Sequence, residues 1–293
     1  MALRFSLLAD LRCRVAESPV YDERRDELFF VDILSRRLYA LKLAGRTLRS
    51  WSFEAEVAAI GLAAGQRLVL ALRDRLILFD PETGDRKPFA EMGLDPAVAR
   101  LNDGKVGPDG AFWVSAMDDR PQKGPTASLY RVTPEGEVRA VVAGLTIGNG
   151  LAWSADGRTM YLSDTRGPWI DRFAFDPSNG ALGGRSRFAT LDEAAGRPDG
   201  GATDLDGCYW SAGVSAGVLN RFSPDTVLLE RHPVPVPAPT MPCFGGPGYR
   251  TLFVTSLREG RSPEALARAP QSGGLFMAAA EVAGVPPWRF AAD

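Results

Sequence analysis

Histidine is almost missing from this sequence: its 293 residues contain one, His232. With a single imidazole, no His-pair metal site, no H-E-x-x-H zinc centre and no Cys/His finger can be assembled. His232 opens a run reading His-Pro-Val-Pro-Val-Pro, so a structural role is expected for it. Cysteine is sparse as well. Cys13, Cys208 and Cys243 form no C-x-x-C pair and are odd in number, which points to core thiols in a reducing compartment rather than a disulfide framework. Charge of one sign is lacking: 34 Lys+Arg stand against 36 Asp+Glu, a net charge of −2, with no basic excess to hold nucleic acid. No apolar run is long enough to span a bilayer. The apolar start, Met1 to Ala9, is short and meets Asp10 without a small-residue cleavage pattern, so no signal peptide is read there. A cytoplasmic chain with neither a membrane nor a nucleic-acid partner is the expectation. Helical periodicity is scarce too, with room for a turn only at 192–195 and 263–269. Any catalysis must then come from carboxylates, amides or a metal held by oxygen.

What is present is a repeat. An apolar-aromatic triplet begins at residues 28, 68, 112, 160, 208 and 252: Leu-Phe-Phe, Leu-Val-Leu, Phe-Trp-Val, Met-Tyr-Leu, Cys-Tyr-Trp and Leu-Phe-Val. A second alternating stretch follows each, and several of these run into turn chemistry such as Asp80-Pro81-Glu82-Thr83-Gly84, where Pro and Gly set the bend. Repeats of 40–50 residues with about four strands each describe propeller blades. The sequence therefore predicts an all-β, six-bladed β-propeller with four-stranded blades around a central channel, one domain over 1–293. Phe5 to Val15 precedes the first repeat and is expected to complete the last blade, which would close the ring and remove an open edge.

One strand upstream of each triplet is the strand that lines the channel. Aligning these segments puts Glu17, Ile60, Asn102, Asn149, Asp199 and Cys243 around one mouth, four of them carboxylate or amide oxygen carriers. Asn-Gly and Asp-Gly are also strong hairpin signals, yet three of these strands already have a turn at their other end, at Asp109-Gly110, Asp156-Gly157 and Asp206-Gly207. Carboxylates near a buried channel need compensation. A divalent cation with hard oxygen ligands supplies it.

The segments Ala16-Glu17-Ser18-Pro19, Arg100-Leu101-Asn102-Asp103-Gly104, Asn149-Gly150-Leu151-Ala152-Trp153-Ser154, Pro198-Asp199-Gly200 and Pro242-Cys243-Phe244-Gly245-Gly246 together resemble the gluconolactonase/regucalcin (senescence-marker) family. The likeness runs in order along nearly the whole chain, to Gly273-Gly274-Leu275-Phe276. It implies a six-bladed propeller that hydrolyses sugar lactones with one divalent metal ion, whether calcium, manganese, magnesium, zinc or iron. Carried over position by position, Glu17, Asn149 and Asp199 match the metal ligands, and Arg100 and Asn102 match residues that hold substrate. Asp118, in Met117-Asp118-Asp119, matches a segment whose acid can reach substrate, as Asp119 could instead. Two departures stand out: Glu-Ser-Pro at Glu17 where Glu-Gly-Pro is commoner, and a stretch of small residues, Ser211 to Gly217, where relatives often carry an aromatic or glycine-rich wall.

The chemistry expected is metal-assisted opening of an aldonolactone to its acid by a monomer, with Asp199 as general base. Two other functions share the fold, because propellers host many. One is a calcium-binding propeller that performs no chemistry; the other is a metal-dependent aryl esterase or phosphotriesterase.

Overall fold

The computed structural model describes residues 3–292; Met1, Ala2 and Asp293, the outer ends of the expected 1–293 domain, lie outside the described residues. Six antiparallel blades of four strands stand in a ring, each stepping outward from a channel-lining strand. The six inner strands are Ala16–Asp22, Ala59–Ala63, Ala99–Val106, Gly148–Trp153, Pro198–Thr203 and Pro239–Gly245. The apolar triplets form the second strands, and none of their residues is more than 4% exposed. That burial is the reason for the repeat: each second strand is covered on both faces by neighbouring blades, so it reads as a continuous apolar run.

Closure comes from the N-terminal segment, as expected. Ser6–Ala9 pairs with Leu275–Ala279, Ser6 opposite Met277 and Leu7 opposite Phe276, and becomes the outer strand of the sixth blade. Pro263–Arg268 is a short helix capped by Ser262, whose Oγ accepts the N–H of Ala265; residues 192–195 form only a turn.

A second closure was not foreseen. Residues 284–292 cross the channel mouth away from the site residues. The Val285 N–H donates to the Thr203 carbonyl, and Arg289–Phe290 lies parallel against Leu62–Ala63. Phe290 is wholly buried edge-on to Phe89 and Phe112, and Trp288 meets Trp153 edge-on. Under this strap only a small apolar pocket of about 80 Å³ is left.

His232 is 2% exposed and stacks on Trp210, and its Nδ1 accepts the Leu3 N–H. The three cysteines are free and buried.

Candidate functional site

The inner strands are irregular where they carry polar residues. Register slips between Glu17 and Val20, Leu101 and Gly104, Asn149 and Ala152, and Pro198 and Gly201. Bulges re-aim side chains out of the pleat, and here they turn Glu17, Asn102, Asp103, Asn149 and Asp199 into one cavity of about 700 Å³. The second blade shows the contrast. Its inner strand pairs regularly, Ala59 with Ala71 and Ile60 with Leu70, and offers the cavity only Ala58.

Two members of the aligned ring do not belong to it. Ile60 and Cys243 line the small pocket under the C-terminal strap instead. In the sixth blade the register places Pro239 opposite Ser256, so the matching position is Thr240, three residues upstream of Cys243. The bulge in that strand displaced the alignment. Thr240 Oγ1 donates to the Ala16 carbonyl at 2.6 Å and ties the last blade to the first.

Glu17 is 7% exposed; its Oε2 accepts the Ser18 N–H at 2.7 Å, while Oε1 is buried without a partner. Burial pushes its carboxyl well above the usual range, and the nearby Asp199 and Asp103 push it further. Asp199 is raised to about 8, by burial first and then by Asp103, against the pull of Arg197 and Arg100. No donor among the described residues reaches its carboxylate. Asn149 Oδ1 accepts from Asn102 Nδ2 at 3.1 Å, and Asn149 Nδ2 donates to Thr165 Oγ1 at 2.7 Å, which fixes the amide with its oxygen facing Asn102. Asn102 Nδ2 also donates to the Gly148 carbonyl, and Asn102 Oδ1 accepts from Arg100 at 3.0 Å. Arg100 is thereby aimed along Asn102, with Asp119 Oδ1 at 3.8 Å from its Nε.

Asp118 stands apart from the other candidates. It does not line the cavity. Its carboxylate is engaged by Arg120 at 2.7 and 2.9 Å and by the N–H groups of Arg120 and Gly124, which hold it well below the usual range. Those bonds fold the 119–124 loop and leave no oxygen free for substrate. The neighbour Asp119 faces Arg100 and pairs with Arg73 at 2.8 Å.

Sequence reasoning missed Asp103 and Lys105. Asp103 Oδ2 accepts the Leu151 N–H at 2.8 Å and its Oδ1 is buried without a partner. Lys105 enters the channel below and donates to the Gly201 carbonyl; burial lowers its pKa, against the attraction of Asp103. Their signal was two adjacent-level charges in a strand otherwise buried, Asn102-Asp103-Gly104-Lys105.

Ser18 explains one departure of the sequence. It sits at φ +50, a left-handed conformation that glycine adopts freely and other residues at a cost. Gly150, next to Asn149, holds the same kind of position at φ +66, and a Cβ there would meet Ser163 Oγ and Tyr209 OH at 2.5 Å. At Ser18 the hydroxyl accepts the buried Ile60 N–H at 2.8 Å, which offsets the strain. The stretch of small residues contributes Val214 and Ser215 to the cavity wall.

Among the described residues no three His, Cys, Asp or Glu side chains group closely enough to hold a metal by themselves. A divalent ion would need the Asn149 amide oxygen beside Glu17 and Asp199. The residues fit one: an orphaned buried carboxylate oxygen and raised carboxylate pKa values mark a site short of positive charge.

A six-bladed propeller with oxygen donors converging at one channel mouth defines the class of protein. Residues 15–258 match the family described as SMP-30/Gluconolactonase/LRE-like region, and the chain belongs to that family. It is 35% identical to a 6-deoxy-6-sulfogluconolactonase of Pseudomonas putida over 94% of this chain and 95% of the relative. It is 32% identical to regucalcin of Gallus gallus over 96% of each. Among solved structures, a regucalcin of Agrobacterium tumefaciens described as a calcium-binding protein superposes with a TM-score of 0.93 at 29% identity, covering 99% of this chain and 97% of that one. A gluconolactonase of Xanthomonas campestris gives 0.75 at 26%, over 94% and 89%.

Proposed function

We propose that this chain is a metal-dependent sugar lactonase that opens an aldonolactone, such as a glucono- or xylono-lactone, to the aldonic acid. The observation that carries the reading is the convergence of Glu17, Asn149 and Asp199 on one cavity, with a Glu17 oxygen buried and unpartnered. Relatives named gluconolactonase and 6-deoxy-6-sulfogluconolactonase support it. Glu17, Asp199 and the Asn149 amide oxygen would hold one divalent ion, with calcium, magnesium, manganese, zinc and iron as candidates. The chemistry a bound ion supplies is polarisation of the lactone carbonyl, worth several kcal/mol.

The remaining work falls to the chain itself. Asp199, whose carboxylate lines the cavity and meets no donor among the described residues, is suited to take a proton from the attacking water once the ion holds it ionised, a role worth roughly 10²- to 10⁴-fold. As the ring C–O bond breaks, the same carboxyl returns that proton to the departing ring oxygen. Arg100 and Asn102 present fixed donors and an acceptor to the sugar hydroxyls, which orients the carbonyl toward the water. All these residues come from one chain, so a monomer suffices.

A second reading, a calcium-binding propeller without chemistry, is favoured by the solved relative described as calcium-binding. Hydrolysis of a panel of aldonolactones before and after chelation, with single divalent ions added back, separates them. Loss and ion-specific recovery of turnover is expected; metal binding without turnover of any lactone would favour the second reading.

A further inference from the structure

The floor and the rim of the cavity carry opposite charge. On the floor lie Glu17, Asp103 and Asp199, with Lys105 beneath; one divalent ion brings that group to zero net charge. Around the rim stand Lys123, Arg166, Arg197 and Arg261. The one acid lining the rim, Glu259, is already held by Arg14 through two bonds of 2.8 Å. Among the described residues, the guanidinium groups of Arg166, Arg197 and Arg261 have no carboxylate within ion-pair distance. Their backbones are nonetheless fixed. The Arg166 N–H donates to Asp164 Oδ1 and the Arg197 N–H to Ser215 Oγ, each at 2.9 Å. Pinned backbones at Arg166 and Arg197 thus carry unpaired guanidinium groups at the mouth of a cavity whose floor is acidic.

Resting on the lactonase reading above, we propose that the preferred substrate is a sugar lactone bearing an anionic group, a phosphate, sulfonate or carboxylate, at its exocyclic end. The lactone ring lies over Glu17, Asn149 and Asp199, and the anionic tail reaches Arg166 and Arg197, with Arg261 and Lys123 adding to the field. Arginine suits this task, since its planar fork matches tetrahedral and carboxylate oxygens in pairs. A neutral lactone uses the floor alone and forgoes the rim.

The test is a specificity ratio: kcat/KM for glucono-lactone carrying a 6-phosphate, a 6-sulfonate or a 6-carboxylate, each divided by kcat/KM for the neutral lactone. Spontaneous hydrolysis is subtracted and the same divalent ion is present throughout. A ratio of at least about tenfold is expected for one or more of the anions at 20 mM salt, shrinking toward about twofold at 1 M, where the screening length falls to about 3 Å. Arg166→Gln and Arg197→Gln should each lower the ratio at least about fivefold, and Arg166→Gln should leave Tm unmoved, because that side chain makes no hydrogen bond or ion pair among the described residues. Using a ratio cancels any effect of Arg197 on Asp199, which both substrates share. Comparing the three tails identifies which anion the rim fits. Ratios near one, indifferent to salt and to both substitutions while the neutral lactone turns over, would overturn this inference and leave the lactonase reading standing. No turnover of any lactone with any divalent ion would overturn both.

Discussion

Asn102→Ala tests how the site is held together. The amide is 8% exposed and makes three bonds: to Gly148 O at 3.0 Å, to Asn149 Oδ1 at 3.1 Å, and from Arg100 at 3.0 Å. Two partners have other bonds in reserve. Gly148 O still accepts from Ser115 Oγ at 2.7 Å, and Arg100 still donates to Leu101 O at 2.9 Å. Asn149 Oδ1 has no second donor among the described residues. One orphaned acceptor costs about 1–3 kcal/mol, and each of the other bonds contributes roughly 0.5–1.5 kcal/mol. A loss of about 2–6 kcal/mol in the metal-free chain follows, which for a protein of this size lowers Tm by about 3–10 °C. Calorimetry with and without divalent ion, metal analysis and lactone kinetics on one preparation give the answer. Metal should be retained, because Glu17, Asn149 and Asp199 are intact, while kcat falls at least about tenfold, because Arg100 and Asn149 lose their common anchor. A Tm within 1 °C of the parent would show that the three bonds are not made. Complete loss of metal would make Asn102 a ligand in its own right.

Glu17→Gln should abolish metal binding yet raise the Tm of the metal-free chain by about 2–5 °C, since it removes a buried charge that faces Asp199 and Asp103; unchanged metal content by atomic absorption would refute the ligand assignment. Because Asp199 and Glu17 are raised in the folded state, the folded chain holds more protons than the unfolded one from about pH 4 to about pH 8, so metal-free stability falls as pH rises through that window. The Tm difference between Asp199→Asn and the metal-free parent should therefore widen from pH 5.5 to pH 8; the subtraction removes His232, whose lowered pKa acts with the opposite sign. A constant difference would contradict the raised carboxyl. Lys105→Met should cost the metal-free chain about 2 kcal/mol, the order of a unit charge several ångströms away at an effective dielectric constant near 20, and distinctly less once a divalent ion is bound. Equal losses in both forms would show that Lys105 serves packing alone.

The blades were legible because their second strands are covered on both faces, which leaves a continuous apolar run in each repeat. Ser6–Ala9 could be placed by the need to close the ring. The strap at 284–292 could not: its three proline and glycine residues near Val285 carry no periodicity, and its anchors, Trp288 and Phe290, are buried only because Trp153, Phe89 and Phe112 happen to surround them. Glu17, Asn102, Asn149 and Asp199 reach one cavity from four blades, as polar side chains at the start of inner strands had indicated. Cys243 went astray because a bulge shifts the register of its strand, and Ile60 because its strand lacks the bulge that the other inner strands carry; nothing in the residue types reveals which strands bulge. Asp118 looked available because its two-residue acidic segment is polar on paper. Arg120 and the N–H of Gly124, close in sequence, occupy it only once the loop has folded.

Whether oxygen donors from three inner strands hold a divalent ion for lactone opening is decided by pH-stat titration of aldonolactone hydrolysis. Parent, Glu17→Gln and Asp199→Asn would be compared after exhaustive chelation and after stepwise return of one divalent ion at a time. The chelated parent should fall to the spontaneous rate and regain turnover as one equivalent of ion is added, whereas neither variant recovers. Full turnover by the chelated parent, or recovery by both variants to the parental level, would contradict that role for the ion.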